Sequence, residues 1–495
     1  MTENVVTTTG GRVRGMASPR SEDGSVIVHR SIPYAAAPFG EHRFAAPAPV
    51  EPWDGVRDCT VFGPPAPQRP HLVGAAAWSP EMSGDCLTLS VWSSARPGER
   101  APVLVWVYGG AYMVGASSEP SYDGTRLAES GLVVVGINYR VGFEGFGHVP
   151  GRPDNRGLLD QIAALRWVRD NIEGFGGDPG NVTIAGESAG AGSVVCLLAA
   201  PDARGLFHRA IAHSVPGDTL TVETARSVGE RIAASAGVPY EAESLAALSP
   251  EKVLDAVDAV LEATPSAGFK AFTCFAPVVG GPGLPEEPLA AVVRGEGAGA
   301  DLLVGHNAHE FRLFTEMGQE TQIDGEEVLH KLVSRLGLRE DALEVYRAAH
   351  PDAPVRELFN VIQGDALFCE YTVRFAEAYA RAGGRAFLFR FAAESTVMEG
   401  RLGACHALDL PFAFGNLDGD FGAFLFEGGP GPQHHDLSAR MVGAWHDFAA
   451  IGDPGWPAVT AEATVVKEWN TPDTLHPAPV APAREVWENV VIAPR

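Results

Sequence analysis

The sequence predicts an α/β protein with a large, mostly parallel central sheet flanked by helices. Two observations lead to this fold class. Apolar strand-like runs recur along the chain, and the middle three are apolar nearly throughout, as expected for strands covered on both faces. Helical patterns separate several of these runs, and alternating strands and helices are typical of a parallel sheet. The runs lie at residues 103–109, 131–139, 182–186, 300–305 and 385–392.

Helical segments account for much of the remaining sequence. Residues 157–172 carry apolar side chains at helical spacing, between the second and third strand-like runs. Two further stretches, at about 219–263 and 325–383, are helical in composition and lack a strand signal. We interpret them as helical insertions over one end of the sheet, within a single domain spanning residues 1–495. A separate cap domain is the alternative interpretation.

Composition and charge limit the binding partners and the cellular location that we expect for this protein. The chain has 495 residues, of which 45% are apolar and 20% charged, with a net charge of −25 and no block rich in Lys or Arg. Nucleic acid and membrane surfaces are therefore not expected partners. The first residues contain no apolar signal-peptide region, and the six cysteines show no C-x-x-C spacing, which predicts a cytoplasmic protein with reduced thiols. We expect no metal, no cofactor, and a monomer or weak homo-oligomer.

One glycine-rich strand end carries a candidate nucleophile, Ser188, in the segment NVTIAGESAGAGSV. A nucleophile on a tight strand-to-helix turn needs small residues two positions away, which Gly186 and Gly190 provide. The amino terminus of the following helix offers free N–H groups to a developing oxyanion. We also expect Gly192 to let this helix approach the sheet closely. A purely structural glycine-rich turn is the alternative for this segment.

The other parts of a serine hydrolase site follow in the required order. A second glycine-rich strand end, at residues 105–115, leaves the backbone N–H groups of its small residues accessible. A triad on this type of sheet runs Ser, then Asp or Glu, then His. Glu310 follows one strand-like run and His406 follows the next. His434 and His435 are rival bases in a segment typical of a surface loop.

Motifs along nearly the whole chain resemble the type B carboxylesterase/lipase family. This branch of the α/β-hydrolases includes the bacterial para-nitrobenzyl esterases and the cholinesterases. The motifs of this chain are closer to those of the para-nitrobenzyl esterases. The long segment that ends in Gly-Glu-Ser-Ala-Gly is the most specific of these motifs. The matching segments are GRVRG, SIPYAAAPFGEHRF, DCLTLSVW, VLVWVYGGAYMVGASSEPSYDG, NYRVGFEGFG, NRGLLDQIAALRWVRDNIEGFGGDPGNVTIAGESAGAGSV, GNLDGDF and WHDFAAIGDPGWP.

The resemblance implies a serine carboxylesterase that hydrolyses small-molecule carboxylic esters through an acyl-enzyme. Its Gly-Gly-Ala motif is associated in the family with tolerance of bulky alcohol groups, so broad or bulky-alcohol specificity is expected. An enzyme specialised for one bulky ester or lactone, and an inactive scaffold homologue, are the alternatives. The implied roles are nucleophile for Ser188, acid for Glu310, base for His406, oxyanion-hole donors for Gly110, Ala111 and Ala189, and a serine beside the acid for Ser214.

Several positions depart from the family pattern around the acid and the base. The family usually has Asp-Glu-Gly at the acid, whereas this chain has His309, Glu310 and Phe311, and a phenylalanine there could displace the loop. After the base, Ala407 stands where glycine is usual and Asp409 where glutamate is usual. If Glu310 were not the acid, Asp409 or Glu316 would be the candidates.

Further departures concern an ion pair, a disulfide and the pocket. Gly84 replaces an acidic residue, so an ion pair with Arg43 is expected to be missing. Cys86 matches a family disulfide cysteine, but no cysteine stands at its partner's place. Five aromatic residues are pocket candidates by position, with core packing as the equal alternative for each. They are Tyr112, Phe143, Phe272, Phe275 and Phe314.

Overall fold

The computed structural model describes residues 4–69, 77–96, 98–263, 273–317, 323–478, 481–491 and 494–495. Within them, an eleven-stranded sheet forms the centre of the molecule and a three-stranded sheet lies beside it. The strands are β1 (Val5–Thr8), β2 (Gly11–Arg14), β3 (Met16–Ala17), β4 (Ile27–Pro33), β5 (Val56–Asp58), β6 (Thr88–Ser93), β7 (Ala101–Val107), β8 (Val133–Ile137), β9 (Gly177–Glu187), β10 (Arg209–His213), β11 (Asp301–Asn307), β12 (Ala386–Phe391), β13 (Val466–Trp469) and β14 (Thr474–His476).

The large sheet is parallel through its middle. Its strand order is β14-β13-β12-β11-β10-β9-β7-β8-β6-β4-β3, and every neighbouring pair from β13 to β8 is parallel. Strands β6, β4 and β3 on one side, and β14 on the other, pair antiparallel. The predicted α/β fold class is confirmed, and the five predicted strand-like runs correspond to β7, β8, β9, β11 and β12.

Helices connect and cover the strands. In the described residues they are α1 (Thr125–Glu129), α2 (Gly142–Phe146), α3 (Arg156–Asn171), α4 (Ala189–Ala199), α5 (Val222–Ser235), α6 (Ala242–Ala246), α7 (Pro250–Glu262), α8 (Pro288–Val293), α9 (Arg312–Glu316), α10 (Glu326–Arg335), α11 (Ala342–Ala349), α12 (Val355–Gly364), α13 (Glu370–Arg381), α14 (Leu410–Ala413), α15 (Asp420–Phe424) and α16 (Pro432–Ile451). Helix α3 matches the predicted helical segment, and the two predicted insertions contain α5–α7 and α10–α13.

The second insertion has its own apolar packing. A turn of π-helix, Asp365–Cys369, joins α12 to α13. Side chains from α10, α11 and α12 pack with Phe311 and Trp487 in a cluster separate from the main core of the sheet. We call this set the second core. The division into a single domain with insertions stays a prediction.

The predicted loss of the Arg43 ion pair is wrong. Gly84 does remove the expected partner, but Glu144, on α2, replaces it. Arg43 Nη2 lies 2.5 Å from Glu144 Oε1, and both side chains are buried. A buried ion pair needs its remaining donors satisfied, and Arg43 Nη1 also donates to the Ala246 and Leu248 carbonyls.

Two further features of the structure concern the state of the cysteines and the search for membrane-spanning helices. All six cysteines are free thiols, as expected from their spacing. In the ranges that the structure describes, no helix combines the length and the apolar character that a membrane span requires.

Candidate active site

Five strands of the parallel region end at one edge of the sheet, and the predicted site residues follow them. Ser188 follows β9, Ser214 follows β10, and Glu310 follows β11 by a short turn. The stretch from Gly109 to Ala111 follows β7, and His406 lies in the loop between β12 and α14. In open α/β sheets, ligands bind outside the carboxyl ends of the strands.

Ser188 occupies a sharp turn between β9 and α4. Its φ and ψ are 55° and −127°, a backbone conformation that residues other than glycine rarely adopt. A Cβ atom on Gly186 would lie 2.5 Å from the Gly190 carbonyl carbon, and one on Gly190 would collide with the Val107 carbonyl oxygen. Both flanks of the serine must therefore be glycine, as the sequence predicted.

The prediction for Gly192 is wrong. A Cβ atom there would collide with the hydroxyl of Tyr112 and would lie 3.3 Å from Pro216 Cγ. Gly192 therefore makes room for an aromatic side chain, whereas Gly190 is the residue whose missing side chain lets α4 approach strand β7.

The Ser188 side chain is accessible in an otherwise buried segment. From residue 182 to residue 200, all residues except Ser188 are buried. The Ser188 N–H donates to the His213 carbonyl (2.9 Å), which fixes the turn against β10. No atom of the described residues forms a hydrogen bond with its hydroxyl. The structure thus presents a serine Oγ that is free to react.

Glu310 and His406 form a buried pair. Glu310 Oε2 accepts a hydrogen bond from His406 Nδ1 at 2.6 Å. Its other oxygen, Oε1, accepts from the Ser214 hydroxyl (2.6 Å) and from the Asn307 N–H (2.7 Å). Glu310 is 1% exposed and His406 5%. The carboxylate is therefore held by three donors and orients the imidazole through Nδ1, which leaves Nε2 as the nitrogen available for proton transfer.

The small residues after β7 pack directly against the serine turn. A Cβ atom on Gly109 would lie 3.0 Å from the Cβ of Ser188. Gly110 has φ +112°, and Ala111 has φ 55°. Among the described residues, no protein acceptor takes the N–H of Gly110 or Ala111, and the N–H of Ala189 is the first of a helix and has no intrahelical partner. Ala189 is the next residue after the serine, and Gly110 and Ala111 follow Gly109, which packs against it.

The chain is similar to a known protein family, to characterised relatives and to solved structures. Residues 2–479 match the model of the carboxylesterase family. The chain is 36% identical over 474 residues to the para-nitrobenzyl esterase of Bacillus subtilis, covering 93% of this chain and 94% of that one. It is 34% identical over 488 residues to the phenmedipham hydrolase of Pseudarthrobacter oxydans, covering 94% and 95%. A crystal structure of the Geobacillus stearothermophilus carboxylesterase superimposes with a TM-score of 0.87 at 37% identity, covering 98% and 100%.

The chain belongs to the carboxylesterase family. It is a carboxylic ester hydrolase, and the family resemblance found in its motifs is confirmed. Its α/β-hydrolase fold is that of the solved carboxylesterases to which it is similar.

The acid loop of this carboxylesterase carries Phe311 where the family usually has glycine. Phe311 has a φ of −81°, in the right-handed region, so the position does not require glycine. Its ring is 2% exposed and lies 5.2 Å from Phe314 and 6.1 Å from Phe359, between ring centroids. Phe311 anchors the loop in the second core, and Glu310 beside it accepts the hydrogen bond from His406 Nδ1 (2.6 Å). The displacement of this loop stays a prediction.

The base loop contains two further departures. Ala407 has φ 63°, which explains why glycine is usual there. Asp409 does not contact the base. Its Oδ1 accepts from Asn307 Nδ2 (3.1 Å), and its Oδ2 pairs with His213. The alternative acid Glu316 pairs with arginines on other segments.

The rival bases lie in regular structure. His434 and His435 belong to the first turn of α16, so the prediction of a surface loop is wrong. The His434 Nδ1 accepts from the Gly431 N–H, and its ring stacks on Phe426 at 4.1 Å. Both contacts hold His434 at the helix terminus.

The base has a second carboxylate neighbour that the sequence did not predict. His406 Nε2 lies 3.0 Å from Glu187 Oε1, and the Glu187 side chain is 5% exposed. Burial opposes a charge on the imidazole, but the carboxylates of Glu187 and Glu310 outweigh burial and raise the pKa of His406. Burial also raises the pKa of Glu187, while His406 opposes that rise. The charge state of the base therefore depends on Glu187.

The aromatic pocket candidates separate into different environments. The Phe314 ring lies 5.3 Å from the His406 ring. Tyr112, with φ 59°, is buried against Phe146 at 4.9 Å. Phe143 and Phe275 are buried in the main core, 6.3 Å apart. Phe272 lies outside the described residues.

Sequence reasoning missed the aromatic residue nearest the base. Phe368 stacks on His406 with ring centroids 4.4 Å apart and an interplanar angle of 29°. It lies in the π-helical turn, about 40 residues before the base in sequence, and π-turns occur frequently at functional sites. Nothing in the local sequence marks the extra residue of such a turn.

Proposed function

We propose that this enzyme hydrolyses esters through an acyl-enzyme on Ser188, with His406 as the base and Glu310 as the acid. The observation that carries the proposal is the strained, accessible serine whose hydroxyl has no partner among the described residues, at the amino terminus of α4. Strain of this kind costs about 1–3 kcal/mol and persists where function requires the geometry.

In the first half of the reaction, His406 Nε2 takes the Ser188 proton as Oγ attacks the ester carbonyl. Nε2 must then face Ser188 instead of Glu187, which is the adjacent residue in the chain. The hydrogen bond from Nδ1 to Glu310 keeps the ring oriented during this change and stabilises the imidazolium that forms.

The tetrahedral intermediate places negative charge on the former carbonyl oxygen. The N–H groups of Gly110, Ala111 and Ala189 supply three donors for that oxygen, and removal of one such donor typically costs about 3 kcal/mol in the transition state. His406 then donates its proton to the leaving alcohol. Water, activated by the same imidazole, attacks the acyl-enzyme and releases the acid.

Substrate preference follows from the walls of the site. The small side chain of Ala111 supports acceptance of esters with bulky alcohol groups. Phe314 and Phe368, which both contact the base, would line the reacting centre with apolar surface. We propose broad specificity for small-molecule esters. The alternative is an enzyme restricted to one bulky ester or lactone. Kinetics with a panel of esters that varies acyl length and alcohol size distinguishes the two.

The cytoplasmic location and the monomeric or weakly oligomeric state stay predictions from the sequence.

Replacement of the nucleophile tests the proposal. We expect Ser188→Ala to lower kcat for p-nitrophenyl butyrate by about four or more orders of magnitude. Ser193→Ala is the matched control, since Ser193 is buried in the same helix and contacts Gln161. We expect the control to retain kcat. Full activity in Ser188→Ala would contradict the proposal.

A further inference from the structure

The loops that carry Glu310 and His406 are joined by a pair of hydrogen bonds next to the catalytic groups. The backbone N–H of His309 donates to the Ala404 carbonyl at 2.9 Å. The Ala404 N–H donates in return to His309 Nδ1 at 3.0 Å. We call this reciprocal pair the His309 clamp. It connects the residue before the acid to the residue two positions before the base, and a longer bond from the His406 N–H to the Glu310 carbonyl (3.3 Å) lies beside it.

The neighbouring residue in the base loop is fitted to this clamp. Gly403 has φ +55°, and a Cβ atom there would lie 2.5 Å from Nδ1 and 3.1 Å from Cγ of His309. The backbone of the base loop therefore lies against the imidazole at Nδ1, with no room for a side chain between them. Only glycine at position 403 permits this approach without a shift of one loop.

The clamp requires a neutral imidazole, because Nδ1 accepts a hydrogen bond. Burial lowers the pKa of His309 to about 3, and the cations Arg312 and Arg390 act in the same direction. Glu394, whose Oε1 lies 3.7 Å from Nδ1, is 60% exposed, and water screens its charge. The acceptor nitrogen is therefore available throughout the neutral pH range.

We propose that His309 is a positioning residue that sets the distance between the Glu310 carboxylate and the His406 imidazole. The inference rests on the proposed function of these two residues. Acid and base come from loops after different strands, β11 and β12, and a catalytic constellation must be held within about 0.5 Å of its productive geometry. The clamp fixes the two backbones relative to each other, while Phe311 fixes the acid loop on its other side.

The same structural pattern at His208, far from the site, provides a matched control. The His208 N–H donates to the Val182 carbonyl (2.8 Å), and the Val182 N–H donates to His208 Nδ1 (3.2 Å). Val182 precedes Ser188 by six residues of strand β9, which is about 20 Å along an extended chain. Loss of this second clamp removes the same contacts without touching the site.

The kinetic experiment compares His309→Ala, His309→Asn and His208→Ala. We expect His309→Ala to lower kcat by about 10- to 100-fold with little change in KM, because misplacement of catalytic groups affects the chemical step. Asparagine places an acceptor oxygen where Nδ1 stood, so His309→Asn should recover most of kcat. His208→Ala should keep the wild-type kcat, even where chemical denaturation shows the same loss of stability as in His309→Ala.

A spectroscopic readout separates this inference from the proposed function. We expect the proton between His406 Nδ1 and Glu310 to give a far-downfield ¹H NMR resonance in wild type and in His208→Ala. This resonance should broaden or vanish in His309→Ala. This measurement needs no turnover, so it stands even where Ser188→Ala stays active and the proposed function fails. Wild-type kcat and an unchanged resonance in His309→Ala would overturn the inference.

Discussion

At the residue scale, the site contains several residues in backbone conformations that are rare for residues other than glycine. Five residues around it have positive φ although none is glycine: Ala111, Tyr112, Ser188, Ser214 and Ala407. They come from four loops that follow different strands. Each costs about 1–3 kcal/mol, so the surrounding packing must hold them in place. The sequence predicted Ser188 through its flanking glycines and marked Ala407 as standing where glycine is usual, but it gave no sign of the strain at Tyr112 and Ser214.

Glu187 controls the charge of the base, which gives the first prediction at this scale. The Glu187 carboxylate raises the pKa of His406, so Glu187→Gln should lower it. The base must be neutral to accept a proton, and the acidic limb of the kcat/KM–pH profile should therefore move to lower pH. Glu173→Gln, an exposed substitution, is the control. An acidic limb that stays in place or moves to higher pH would refute this role.

At this scale, sequence reasoning identified the proposed catalytic groups and missed two residues that contact the proposed base. Ser188, Glu310 and His406 stand in recognisable motifs, and the structure brings Glu310 and His406 together. Glu187 and Phe368 were missed for different reasons. Glu187 faces the base only because the turn at Ser188 is so sharp, and Phe368 reaches it only because of a π-helical turn.

At the element scale, the second helical insertion packs against the loop of Glu310, the proposed acid. Phe311 follows Glu310 and packs into the second core with residues of α10 and α12. The sequence predicted helices in this insertion from its helical composition and its lack of a strand signal. It could not predict that the departure at Phe311 serves as an anchor, because the ring packs against residues up to about 50 positions further along the chain, Phe359 among them.

Truncation of the anchor tests this connection. We expect Phe311→Ala to lower the free energy of unfolding by about 3–5 kcal/mol, as for other buried phenylalanines, and to lower kcat together with stability. Phe424→Ala is the control, since Phe424 is 47% exposed and should change stability by less than about 0.5 kcal/mol. Chemical denaturation and p-nitrophenyl ester kinetics measure both effects. A Phe311→Ala protein with wild-type stability and kcat would show that the second core does not support the acid.

Strand β10 shows where element prediction failed. Its five residues, Arg209–His213, are short and end in polar groups, so no apolar run marks them. The strand is nevertheless central, since it pairs in parallel with both β9 and β11. Its position is decided by the sheet around it, and it delivers Ser214 to the Glu310 carboxylate.

At the scale of the whole molecule, parallel topology assembles the site from distant segments. Residues 109–111, Ser188, Glu310 and His406 span about 300 positions, and they meet because parallel strands end at one edge of the sheet. Alternating strand and helix patterns predicted the sheet. The pairing of loops across its edge depends on strand order, which periodicity does not determine and which the family resemblance implied.

The most direct test of the central claim is to trap the acyl-enzyme. The enzyme is mixed with a p-nitrophenyl ester, quenched in acid within one turnover, digested and mapped by mass spectrometry. We predict one acyl group for each chain, on the peptide that contains Ser188 and on that serine. Turnover with the acyl group on another residue, or with no acylated peptide at all, would contradict the account.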